Sequence, residues 1–245
     1  MRSRERWLIF GYALSSLALA GPLARAQGVE VSAQVQLQAK SPADSGRQKG
    51  SSSAADVVVW LTPLPSDAAH PTAVGRTAPF RLVQKEKQFT PHLLIVPTGS
   101  SVEFPNQDPF FHNVFSLFNG KRFDLGLYES GTSRFVRFDR EGVSYIFCNI
   151  HPEMGAVVLS LSTPYYGVST ADGSVVIRGV PPGSYRVHVW SETAESAKPD
   201  AQEIVQVAAA QVSLGKIAMQ STANPMEHHK NKFGEDYRPT HDATY

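Results

Sequence analysis

Beyond residue 26 the chain contains no stretch in which apolar residues recur every three to four positions, so no amphipathic helix is available to cover a core. Short runs rich in Val, Ile, Tyr and Phe appear instead, each bounded by Gly, Pro, Asn or Asp. Such a chain must close its core sheet against sheet, and the expected class is an all-β sandwich. Strands are expected at Val29–Gln38, Val57–Leu61, Phe80–Val83, His92–Val96, Ser101–Phe104, Val114–Phe118, Arg134–Phe138, Val143–Cys148 and Ala156–Leu161. A later group is expected at Ser174–Arg178, Tyr185–Trp190, Ile204–Ala208 and Val212–Ala218.

The punctuation is as informative as the strands. Asp172-Gly173 reads as a tight hairpin turn, and Pro181-Pro182-Gly183 as another turn before an alternating strand. Residues 41–55, "SPADSGRQKGSSSAA", form a polar hairpin tip or flexible loop. Residues 221–245 are polar and poor in aliphatics, and are expected to be disordered or loosely docked.

The first 26 residues look like an export leader. Arg2, Arg4 and Arg6 precede an apolar run from Trp7 to Ala20, and Ala24-Arg25-Ala26 is a small-x-small cleavage site. Removing four arginines and one glutamate from 23 basic and 22 acidic residues leaves a formal charge near −2. That balance, with no basic stripe, predicts no nucleic-acid partner. No second apolar run reaches spanning length, so no membrane span is expected after cleavage, and the leader fits a bacterial periplasm.

An exported chain with one cysteine is unusual, because disulfides need pairs. Cys148 stands in "CNIHPEM", with His151 three residues on and Met154 six residues on. Thiolate, imidazole and thioether together suit copper better than zinc, calcium or magnesium. A second imidazole would complete a His2Cys plane, and His112 in "FHNVF", before an expected strand, is the candidate. Each residue alone has an ordinary explanation in core packing; the spacing makes the joint reading copper.

The segments "TPHLLIVPTGSSVEFPNQD", "HNV" and "GVSYIFCNIHPEM" resemble the cupredoxins, and the C-x2-H-x2-M loop looks most like that of amicyanin. The resemblance implies a Greek-key β-sandwich over about residues 77–162 holding one type 1 copper. His112, Cys148 and His151 would be its equatorial ligands and Met154 its long axial one. It implies that Asn113 hydrogen-bonds across to the cysteine loop and holds the two ligand segments in register. It also implies redox partner proteins, an electron donor and an acceptor. Phe110, Phe111 and Pro152 flank the histidines and are candidates for an apolar docking collar or, equally, for core packing. Residues 77–162 are short for such a domain, so Val29–Gln38 could complete its sheet.

"DGSVVIRGVPPGSYRVHVW" is similar to the carboxypeptidase regulatory-like (transthyretin-like) β-sandwich, a second and smaller unit. "VSAQVQLQAK" and "AADVVVWLTP" look like its first half. Residues 27–76 and 163–220 would then form one discontinuous sandwich with the copper domain inserted, unless the two domains simply follow one another. No G-x-S-x-G elbow, H-E-x-x-H or phosphate loop occurs, so no enzyme is expected. The leading expectation is a one-electron carrier for a respiratory or methylamine-type oxidation chain, since the protein resembles methylamine utilization-type periplasmic copper proteins. The alternatives are a non-redox copper chaperone and an envelope binding module with structural copper.

Overall fold

The computed structural model describes residues 28–38, 53–65, 79–117, 120–196, 203–208, 211–222, 224, 226 and 229–237. The expected export leader and most of the expected loop at residues 41–55 lie outside the described residues. All regular structure is β. In chain order the strands are β1 (Val29–Gln38), β2 (Val58–Pro63), β3 (Phe80–Arg81), β4 (Val83–Lys85), β5 (Gln88–Thr90) and β6 (Leu93–Pro97). They continue with β7 (Ser100–Pro105), β8 (His112–Ser116), β9 (Phe123–Tyr128), β10 (Ser133–Phe138), β11 (Gly142–Cys148) and β12 (Gly155–Leu161). The last six are β13 (Tyr166–Val168), β14 (Ser174–Val180), β15 (Gly183–Trp190), β16 (Ala194–Ser196), β17 (Ile204–Val207) and β18 (Gln211–Ser221).

Four sheets stack in layers. The outer two are β14-β1-β18-β16 and β10-β7-β3; between them lie β13-β2-β15-β17 and β6-β12-β11-β8-β9. Alternation along single strands assigns the layers. In β12, Ala156 and Val158 enter the core that holds Cys148, whereas Leu159 and Leu161 face the other way onto Val58, Trp60 and Trp190. In and before β2, Val57, Val59 and Leu61 enter a third core with Val31, Ile177 and Tyr185. A strand covered on both faces reads as a continuous apolar run, which is why "DVVVWL" and "AVVLSL" show so little alternation.

Val29–Gln38 does not complete the metal-side sandwich. β1 pairs antiparallel with β14 and parallel with β18, and β2 pairs with β13 and β15. β3 to β12 close a sandwich among themselves, with parallel pairings β3–β7 and β6–β12. The two expected turns are tight but do not make hairpins within one sheet. Gly173 (φ 84°) joins β13 to β14 and Pro181-Pro182-Gly183 joins β14 to β15, so each carries the chain from one layer to the other.

The expected strand at Phe80–Val83 is split, because Leu82 turns into the core between β3 and β4. The next turn, Glu86-Lys87, has φ near 55° at both residues and folds β4 onto β5 as a tight hairpin. Its direction matters for the site.

Candidate metal centre

Strand β8 begins with His112, and β11 ends with Cys148. The two strands are adjacent and antiparallel, with Val114 opposite Cys148, so residues 36 apart in sequence meet at one end of the sandwich. The loop after Cys148 closes on itself: Met154 N–H donates to His151 C=O at 3.1 Å, and Cys148 N–H donates to Met154 C=O at 3.2 Å. That turn carries the His151 ring back over the sulfur.

Three donor atoms converge. Cys148 Sγ lies 3.5 Å from His112 Nδ1 and 3.6 Å from His151 Nδ1, and the two nitrogens are 3.2 Å apart. A point in their plane equidistant from all three sits about 2 Å from each, the length of a metal–imidazole bond. Among the described residues this is the one His/Cys/Asp/Glu group of three or more whose ligand atoms come this close. His112, Cys148 and Met154 are fully buried, His151 is half-buried, and Met154 belongs to the same apolar cluster as Cys148. Three of the four expected ligands therefore converge, and Met154 is buried in the same core.

The imidazoles are prepared to donate lone pairs. His112 Nε2–H donates to Asp108 Oδ2 at 2.8 Å, which leaves Nδ1 unprotonated and facing the sulfur. Burial lowers the pKa of His112, against the pull of Asp108, and burial with the neighbouring His112 lowers that of His151, so both rings are neutral. Burial pushes the Cys148 thiol up, while backbone N–H groups of Asn113, Ile150 and His151 directed at the sulfur favour its thiolate. A cation at the centre would decide that balance for the thiolate.

Asp108 is the functional residue that the sequence left unmarked. The Glu86-Lys87 turn aims two backbone N–H groups at its carboxylate, at 2.6 and 3.0 Å. Burial raises its pKa, but the bonds from Lys87, His112 and Glu86 outweigh burial and hold it below the ordinary carboxylate range. An ionised aspartate thus orients a neutral histidine. Its position four residues before His112, in an Asn-Gln-Asp-Pro turn, was the available signal.

Asn113 ties the segments together, but not by the expected group. Its backbone C=O accepts from Asn149 N–H at 2.9 Å, while its side chain donates to Asp124 Oδ1 at 2.7 Å. The side chain is drawn aside because Asp124, on the paired strand β9, offers a charged acceptor. Of the expected collar, Phe110 is half-buried, with its ring 5.3 Å from that of His112 and 5.4 Å from that of His151. Phe111 is 51% exposed and Pro152 is exposed, so of the three these two face solvent. Of the tail expected to be disordered or loosely docked, residues 229–237 dock beside the ligand loop through side-chain and backbone bonds.

No family model matches the sequence, and comparison with curated proteins finds no match. Among solved structures the chain is similar to a purple cupredoxin from Nitrosopumilus maritimus, 24% identical, covering 34% of this chain and 99% of that one at a TM-score of 0.31. It is similar to a copper-containing nitrite reductase from Thermus scotoductus, 26% identical at a TM-score of 0.33, over 42% of this chain and 28% of that one. It is also similar to a reduced amicyanin variant, 15% identical at a TM-score of 0.33, over 42% of this chain and 98% of that one. These similarities cover the smaller part of the chain. The unit from β3 to β12 is a β-sandwich by its own strand pairings, and its own side chains supply the His112, Cys148 and His151 group.

Proposed function

We propose that the protein is an exported, mononuclear type 1 copper protein that carries single electrons between protein partners in the periplasm. The convergence of His112 Nδ1, Cys148 Sγ and His151 Nδ1 at 3.2–3.6 Å carries this reading. Copper would supply the one-electron step by alternating between Cu(I) and Cu(II). The chain's own part is to hold a soft donor set in a geometry both states tolerate. Cys148 contributes a fully buried sulfur. His112 is locked in one tautomer by Asp108, and Met154 adds a buried thioether.

The β8–β11 pairing sets the spacing of the two ligand segments before any ion arrives, so little rearrangement accompanies electron exchange. His151 is the ligand nearest solvent; the Phe110 ring packs against it, and the exposed Pro152 next in sequence adds apolar surface suited to brief docking of a redox partner. Four donors all supplied by the chain leave a substrate no coordination position, which favours a carrier over an enzyme. The leader's Ala24-Arg25-Ala26 site supports the periplasmic assignment.

The test is redox cycling of the copper-loaded mature protein. A carrier loses its thiolate-to-copper absorption on reduction and regains it on oxidation, with copper retained through repeated cycles. A protein that binds only Cu(I), stays colourless and yields the ion to an acceptor is a chaperone, and the carrier reading falls.

A further inference from the structure

The C-terminal segment returns to the ligand loop and touches both of its halves. Tyr237 hydroxyl donates to Cys148 C=O at 2.9 Å, and its oxygen lies 3.1 Å from His229 Nε2. The His229 ring stacks on Phe147, with centroids 4.0 Å apart and planes 11° apart. Lys232 N–H donates to Asn149 Oδ1 at 2.9 Å, and its ammonium donates to Asp124 Oδ2 at 2.9 Å. Asp124 in turn holds the Asn113 side chain.

The segment is itself braced. Asn231 Oδ1 accepts from Phe233 and Glu235 N–H at 2.9 and 3.0 Å, which fixes the turn that presents Lys232. The two ligand segments are therefore joined twice. One tie is direct, Asn149 N–H to Asn113 C=O; the other runs from Asn149 through Lys232 and Asp124 to Asn113. Burial pushes the Tyr237 phenol up, so its proton stays in place to donate.

We propose that residues 229–237 are a clamp on the ligand loop, in which Lys232 and Tyr237 are positioning residues that set how often the loop opens and how fast a bound ion leaves. The identity of that ion rests on the copper reading; the opening of the loop does not. Bonds that form only with the loop seated must break before it can lift, so each one lowers the open population. A tail that merely covers Phe147 would instead act through ring contact, which Tyr237→Phe preserves.

Two measurements on the full mature chain test this. In metal-free protein, amide hydrogen exchange at residues 148–154 should quicken about five- to tenfold in Tyr237→Phe and in Lys232→Ala, the range one hydrogen bond can supply. Exchange in β1 and β14 should stay unchanged, Lys232→Arg should restore slow exchange, and Glu235→Gln should behave as wild type. In copper-loaded protein, release to a chelator should quicken by a similar factor while the absorption band persists. Loop exchange within twofold of wild type in both variants overturns the clamp, even if copper binds. Faster loop exchange in a chain that takes up no copper upholds the clamp and removes the copper reading.

Discussion

The two sandwiches treat buried polarity differently. The one built from β1, β2 and β13 to β18 has a core of Val, Leu, Ile, Tyr and Met, and its only fully buried polar residues among those described are Thr163 and Ser169. The one built from β3 to β12 buries Gln84, Glu103, Asn106, Asp108, His112 and Asn113 as well. Burying such groups is costly unless they find partners; Gln84 Oε1 has none, but most of the others here are hydrogen-bonded. The Gln84 amide meets Tyr128 hydroxyl, Asn106 Nδ2 donates to Phe110 C=O, and Asp108 holds His112. A fold gains little stability from such a set compared with apolar packing, so its presence at one end of one sandwich marks where the chemistry is. The second sandwich contributes mass and a fixed apolar seam, Val58 and Trp60 against Leu159 and Leu161.

Substitutions in the two regions should therefore separate metal from fold. Cys148→Ala has the largest expected effect: complete loss of thiolate-to-copper absorption, with the β signature by circular dichroism retained. Leu61→Ala, fully buried in the second sandwich, should cost about 2–5 kcal/mol in denaturant unfolding and leave the absorption of the folded protein unchanged. A bleached site in folded Leu61→Ala protein would show the two regions to be one functional unit. Asp108→Asn should weaken copper affinity about 10–100-fold in a competition titration, because the neutral amide no longer holds His112 in its tautomer as an anion does.

The smallest effect concerns the tie between the sandwiches. His92 Nε2 lies 2.6 Å from Glu192 Oε2, and the hydrogen bond to Glu192 raises the His92 pKa above 6.5 against the effect of burial. A raised histidine contributes its stability fully below the unfolded pKa and loses it as pH climbs through the folded one. The side chain is half exposed, so screening keeps the contribution to about 1 kcal/mol or less. Unfolding midpoints should drop slightly from pH 6 to pH 9 in wild type and stay flatter in Glu192→Gln.

What the sequence disclosed follows from distance along the chain. Cys148, His151 and Met154 fall within one loop, so their spacing was readable, and His112 could be nominated because a trigonal site wants a second imidazole. Asp108 was hidden because the N–H groups that hold it belong to residues 86 and 87, in a turn whose left-handed backbone neither Glu nor Lys advertises. Strand β9 escaped because Asp124 and Gly126 break its alternation, and β13 because three residues are too few to show any. Lys232 and Tyr237 sit in a stretch of polar composition with nothing periodic in it, and their roles exist only through contacts 83 and 89 residues away.

The proposed site of two histidine nitrogens and one sulfur would bind a single copper ion. Titrating the metal-free mature chain with Cu(II), followed by visible absorption, tests it most directly. An intense band that grows linearly and stops at one equivalent is the predicted result. Absence of that band, or its persistence when His112 is replaced by alanine, would contradict the claim.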